Sequence, residues 1–148
     1  MKLILSLMLF ACFHGTAEWT TDFEKARTEA IKSHKLIVLN FSGSDWCGPC
    51  IRMEKEIFES DAFQKYAEQN LLLVKADFPR LKKNQLSKEQ TQVNESLADK
   101  YNPEGKFPFT ILFDEKGKVL KEWVGCPNES PEKFVSEVNS FSHAPNAN

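Results

Sequence analysis

Cysteine, histidine and long apolar runs are all scarce in this sequence. Four cysteines and three histidines in 148 residues leave little for a structural zinc centre, which needs four ligands. There is one Cys-x-x-Cys and no second pair at ligand spacing. A covalent haem would require histidine directly after the second cysteine of that pair, where Ile51 stands. Charge of one sign is also missing: 19 basic against 21 acidic residues give a net charge of −2, so no general affinity for nucleic acid follows. The longest apolar stretch, Leu3 to Phe13, is too short to cross a bilayer as a helix. No internal repeat or low-complexity tract is present. What remains is an ordinary globular composition, 41% apolar, at a length that supports one domain with a sizeable core.

The informative stretch is Trp46-Cys47-Gly48-Pro49-Cys50. Two cysteines with two residues between them can share the first turn of a helix, where their sulfurs can close a small ring. Unpaired N–H groups and the positive end of the backbone dipole gather there, so a thiolate at Cys47 is stabilised and nucleophilic near neutral pH. Pro49 suits a first helical turn, where its missing N–H costs nothing, and Gly48 keeps the approach to the sulfurs open. The apolar run Leu36 to Phe41 just upstream reads as a buried parallel strand. Strand, short loop, Cys-x-x-Cys and helix is the setting in which such a pair performs redox chemistry. A structural disulfide is the plainer alternative, although so short a loop constrains the unfolded chain little.

Trp-Cys-Gly-Pro-Cys resembles the signature of the thioredoxin family, and the similarity runs from about Asp22 to about Phe141. A second landmark is Phe107-Pro108, which looks like the family's cis-proline followed by a strand. The resemblance implies an α/β thioredoxin fold, a central mixed sheet with helices on both faces. It also implies an exposed Cys47 and a covered Cys50. Phe107 and Pro108 would sit against the cysteines and pair with the substrate backbone as an added strand, with Phe107 shaping which peptides fit. Trp46, Gly48 and Pro49 would form the contact surface around the sulfurs, although Trp46 could equally be a core side chain. Cytosolic thioredoxins end the strand before the motif with a buried aspartate that exchanges protons with the second cysteine. Here Asn40 stands there, with one extra residue in Ser42-Gly43-Ser44-Asp45 before Trp46, and an asparagine cannot act as a base. Glu54, one helical turn beyond Cys50, faces the same side. The C-terminal reductase domain of DsbD-type proteins looks similar at this offset. By that resemblance Glu54 is the remaining proton acceptor; the alternative is a helix-surface glutamate.

Along the rest of the chain, Met1-Lys2, the apolar run and Gly15-Thr16-Ala17 read as an export signal over residues 1–17, with the mature domain at 18–148. A lipid anchor through Cys12 is the alternative. Cleavage after Ala17 removes Cys12 and leaves Cys126 as a third thiol in an oxidising compartment. Trp19, Phe23, Ala26, Ala30 and Ile31 recur at helical spacing, with Glu24, Lys25, Arg27, Glu29 and Lys32 on the other face and Thr21 or Asp22 as the cap of the helix. A second runs from Cys50 to about Tyr66, burying Ile51, Ile57, Phe58 and Phe63, with a break near Ser60-Asp61. The strand Leu71–Asp77 follows, parallel to the first and joined to it by a right-handed crossover. Phe78 to Asn102 is longer than in a minimal thioredoxin. It holds a basic segment, Arg80 to Lys88, that is either a solvated face or a docking surface for an acidic partner, and a helix with Val93, Leu97, Ala98 and Tyr101. A hairpin of Phe109–Phe113 and Lys118–Val124 and a final helix from Pro131 complete the domain, with a tail from His143. By resemblance Cys126 borders the groove beside the cis-proline, either as a small apolar filler or as an oxidisable thiol that gates access.

The functional expectation is an exported thiol–disulfide oxidoreductase that reduces protein disulfides through a Cys47–Cys50 cycle. It uses no metal and no cofactor beyond that redox-active pair. Its partners are disulfide-containing proteins and an upstream thiol reductant, not nucleic acid or a membrane span, and the chain acts as a monomer. An oxidase or isomerase of the same fold and a non-enzymatic client-binding module are the alternatives.

Overall fold

The structure is a computed structural model that describes residues 16–142. The expected export signal up to Gly15, its Cys12 and the tail His143–Asn148 lie outside the described residues. The apolar runs become the interior strands. β2 (Leu36–Ser42) is central, with β3 (Leu71–Asp77) parallel on one side and β4 (Phe109–Phe113) antiparallel on the other. β1 (Trp19–Thr20) extends the sheet beyond β3, and β5 (Val119–Val124) pairs antiparallel with β4, for the order β1-β3-β2-β4-β5. A strand buried on both faces must be apolar on both, and β2 is: Val38 faces one core while Ile37, Leu39 and Phe41 face the other.

Helices cover each face. α1 (Phe23–Ser33) and α4 (Lys88–Tyr101) pack on the Ile37–Leu39–Phe41 face, with Phe23, Ala26 and Ala30 from α1 fully covered. α2 (Gly48–Met53), α3 (Asp61–Asn70) and α5 (Pro131–Ser142) pack on the Val38 face around Phe58, Phe63, Trp123 and Phe134. The mixed sheet flanked on both sides is the expected thioredoxin fold. Caps fall where short polar side chains precede the helices: Asp22 accepts from the Lys25 N–H at 2.9 Å, Ser60 from Phe63 at 3.2 Å, and Ser87 from Gln90 at 3.1 Å.

Several expectations need correction. Trp19 is in β1, not α1, because Asp22 caps the helix after it. Ile31 is 60% exposed and Val93 44%; on α4 the buried position is Asn94, whose amide donates to the Asp77 carbonyl at 2.8 Å. The second long helix is three pieces. After α2 a single π turn covers Glu54–Phe58, with Glu59 N–H donating to the Glu54 carbonyl at 2.8 Å, and Ser60 then starts α3. The break near Ser60-Asp61 is therefore real, and the wider turn shifts the helical phase after Met53; Ile51 is 38% exposed, since α2 buries Cys50 and Met53 instead. β5 begins at Val119, one residue later than expected, since Lys118 closes the turn onto Asp114.

Candidate active site

Strand β2 delivers the motif. Its last residue, Ser42, leads into Gly43, whose carbonyl accepts from the Cys47 N–H at 2.9 Å and whose own N–H points at the Cys50 sulfur at 3.5 Å. A Cβ on Gly43 would run into the Trp46 ring, so only glycine lets the loop fold back this tightly. Cys47 is the N-cap of α2, and its sulfur accepts the Cys50 N–H at 3.3 Å. The two sulfurs are bonded as a disulfide, with Cα atoms 5.2 Å apart. Gly48 and Pro49 are exposed, with nothing within 4 Å of a Cβ built on Gly48. The expected contrast between an open Cys47 and a covered Cys50 is absent: they are 5% and 4% exposed. Each sulfur shields the other in the ring, and the Gly43 turn tucks the Cys47 main chain inward.

Beneath α2 lies a polar row that strand register explains. Asn40 pairs with Lys75 on β3 and with Thr110 on β4. Side chains alternate along each strand, so all three share the face of Val38, Leu73 and Leu112, the face that carries α2. The Asn40 amide donates to Thr110 Oγ1 at 2.9 Å, and the Thr110 hydroxyl lies 3.8 Å from the Met53 sulfur. Lys75 Nζ reaches up to the Glu54 carboxylate at 2.6 Å and lies 4.7 Å from the centre of the Trp19 ring. Glu54 is thus one member of a half-buried ion pair, not a free surface glutamate. Neither Lys75 nor Thr110 was singled out by sequence reasoning. The signal for Lys75 was a lone charge in an apolar strand, which demands a partner.

Around the sulfurs, the Phe107–Pro108 peptide is cis, as the resemblance implied. The buried Pro108 offers its carbonyl to the Gly125 N–H at 2.8 Å, which ties the end of β5 and hence Cys126 to the cis-proline loop. Cys126 is a free, half-buried thiol. It packs against the Val38-face core, and the Arg52 guanidinium beside it is held above its usual pKa by that contact. Trp46 is half-buried on the other side. Its indole N–H donates to the Phe78 carbonyl at 2.7 Å, the Phe107 ring meets it edge-on at 5.4 Å, and the Arg80 guanidinium lies over it at 3.7 Å. The extra residue before the motif also has a use. Asp45 accepts from the Arg80 N–H at 2.9 Å, the Leu81 N–H at 3.0 Å and the Asn84 amide at 3.0 Å, while Ser44 N–H and hydroxyl bind the Asp77 carboxylate. The Arg80 N–H is the main cause that holds the Asp45 carboxyl below its usual pKa, against a burial effect in the other direction. Among the described residues no helix is long and apolar enough to cross a membrane.

Comparison with known proteins matches this geometry. A family model described as a thioredoxin-like domain covers residues 23–141. The disulfide bond reductase DsbH of Chlamydia pneumoniae is 36% identical over 83% of this chain and 71% of its own length. The thioredoxin-related protein DsbJ of the same organism is 30% identical over 76% of this chain, a match that spans only 31% of DsbJ. Among solved structures, a DsbH oxidoreductase superposes with a TM-score of 0.78 at 32% identity, covering 88% of both chains. The C-terminal domain of Neisseria meningitidis DsbD in its oxidised form, at 19% identity over 83% of this chain and 97% of that one, shares the fold with a TM-score of 0.57. With its Cys-Gly-Pro-Cys disulfide at the start of α2 and a cis-proline loop before β4, this chain belongs to the thioredoxin-like family and is a thiol–disulfide oxidoreductase.

Proposed function

We propose that the protein works as a reductase of protein disulfides outside the cytoplasm. The observation that carries the direction is the poverty of donors at the Cys47 sulfur. An N-cap acceptor normally takes the N–H of the second or third helical residue. The second here is Pro49, which has none, so among the described residues the sulfur receives only the Cys50 N–H. A thiolate with one donor is less stabilised than one with two, the dithiol form is correspondingly less favoured, and the pair is a stronger reductant. The similarity to DsbH, a disulfide bond reductase, points the same way.

In the cycle, the Cys47 thiolate attacks one sulfur of a substrate disulfide; that bond breaks, a mixed disulfide forms, and the first substrate thiolate leaves. Cys50 gives its proton to Glu54 and attacks the Cys47 sulfur. The Cys47–Cys50 disulfide closes and the second substrate thiol is released, two electrons having passed to the substrate. An upstream thiol reductant restores the dithiol. Gly48, Pro49, Phe107 and Pro108 form the surface that receives the substrate chain, and Cys126 borders it at the end of β5. Residues 1–17 act as the export signal, 18–148 as one monomeric domain, with anchoring through Cys12 as the alternative to a free mature chain.

Equilibration with glutathione tests the direction. The expected potential lies close to the thioredoxin value of about −270 mV, far from the strongly oxidising value of about −120 mV. Pro49→Ala restores the missing donor and should raise the potential by about 30–60 mV, the equivalent of one hydrogen bond to a charged group. A wild-type potential near the oxidising end, or a Pro49→Ala variant that becomes more reducing, overturns the assignment.

A further inference from the structure

The chain from Phe78 to Ser87 has no acidic residue, yet carries Arg80, Lys82 and Lys83, with Lys88 next. Among the described residues, none of these four cations has a carboxylate within 4.0 Å, although ion pairs occur elsewhere on the surface. Two acids close by are already engaged: Asp45 by the backbone and Asn84, and Asp77, which lines the adjoining cleft, by Ser44. The segment is also held in place, since Asp45 clamps its start, Arg80 stacks on Trp46, and Phe78 meets Phe107 edge-on at 5.5 Å. Between it, α4 and the redox motif lies a cleft of about 590 Å³, walled by Trp46, Phe78, Pro79, Arg80, Leu86 and Phe107. Trp46 and Phe107 belong to both the cleft and the rim of the disulfide, so whatever fills the cleft continues into the redox site.

We propose that this cleft is a docking subsite for the partner protein. On this view an extended acidic segment flanking the reactive cysteine of the partner inserts a bulky apolar side chain against Trp46, Phe78 and Leu86 and pairs its carboxylates with Arg80, Lys82 and Lys83. The proposal rests on the disulfide-exchange reading above and adds to it the chemistry of the preferred partner. A large apolar anchor in a pre-formed pocket supplies affinity; the unpaired cations supply selection and faster encounter at low salt. On the α4 side the polar lining is already satisfied at Asn94, which bonds both the Asp77 carbonyl and the Gln90 amide.

Binding is measured without any disulfide, so that the outcome is independent of the redox potential. The probe is a fluorescein-labelled peptide with phenylalanine between two aspartates and serine in place of cysteine, titrated with the oxidised full-length protein and read by anisotropy. It should bind about tenfold or more tighter than the same peptide with lysines for the aspartates, and the advantage should shrink as salt rises. Arg80→Glu and the double change Lys82→Glu/Lys83→Glu should each abolish the advantage. Thr91→Trp fills the cleft from the α4 side and should weaken the acidic peptide at least about tenfold even if Arg80→Glu disturbs the Trp46 stack. Equal binding of the two peptides, an unchanged preference in the charge-reversed variants, or displacement of the peptide by millimolar glutathione disulfide, which would mark a small-molecule site, overturns the proposal. The reductase reading fails separately, on the glutathione equilibrium.

Discussion

A lysine in the middle of an apolar strand must either reach solvent or meet an acid. Lys75 meets Glu54, at 2.6 Å, with side chains 23% and 31% exposed. This pair stands where cytosolic thioredoxins use a strand aspartate, for Asn40 lies beside Lys75 in the sheet and supplies only a neutral amide. In the proposed cycle the acid has in effect moved from the strand to the helix above it. Glu54→Gln removes an anion one helical turn beyond Cys50 and leaves Lys75 an unpaired cation on the same face of the sheet, so the thiols should ionise at lower pH. The resolving attack should lose its proton acceptor and slow by about a hundredfold, while partial access of solvent to the half-buried pair limits the loss of stability to about 1–2 kcal/mol. Single-turnover kinetics across pH tests this, because a purely structural pair would leave the pH profile of the resolving step unmoved. An unchanged profile assigns Glu54 to packing alone.

At the scale of elements, the loop from Gly43 to Asp45 and the segment from Phe78 to Asn84 behave as one unit. Asp45→Ala should release the Arg80 and Leu81 N–H groups and loosen the Arg80–Trp46 stack, seen as altered tryptophan fluorescence and faster amide exchange at residues 80 and 81, with the sheet intact. In the wild type the clamp depends on a charged Asp45, whose carboxyl is held below its usual value chiefly by the Arg80 N–H. A depressed carboxylate stabilises the fold above its unfolded pKa and loses that contribution only as pH falls through the folded one. The Arg80 and Leu81 amide signals should therefore hold steady down to about pH 4, the ordinary aspartate value, and move together below it. A shared midpoint above that value would mean that the clamp does not stabilise the anion. The pairing of these two loops was illegible in the sequence because it joins residues more than thirty positions apart. The same holds for the π turn, which leaves no compositional mark yet changes the helical phase from Glu54 onward. By contrast the redox helix was legible, since a cap, a first-turn proline and an upstream apolar strand are all local signals.

Over the whole molecule, β2, β3 and β4 were readable because strands buried on both faces are apolar for most of their length, whereas β1, two residues long, and the exposed positions of α1 and α4 depend on tertiary packing that no local pattern records. The placement of the polar row under α2 depends on register and was equally out of reach. The two cores separated by the sheet divide the work. The Ile37–Leu39–Phe41 side supports α1 and α4, and so one wall of the docking cleft; the Val38 side supports α2, α3 and α5. At the centre of the latter, the Phe134 ring lies 5.0 Å from Trp123, 6.2 Å from Phe63 and 6.4 Å from Phe58, and is fully buried. Those neighbours come from β5, α3 and the π turn, so one ring on α5 joins β5 to two consecutive pieces of the broken helix far upstream. Phe134→Ala should cost about 3–5 kcal/mol through lost transfer energy and an unfilled cavity, measured by denaturant unfolding. The polar row of Lys75, Asn40 and Thr110 contributes nothing to the Phe134 ring contacts, so the glutathione equilibrium constant should stay within about twofold of wild type, less than 0.5 kcal/mol. A destabilised variant with an unaltered potential would show that stability and redox poise reside in different parts of the same face. A potential that shifts together with stability would show instead that core packing sets the geometry of the cysteine helix.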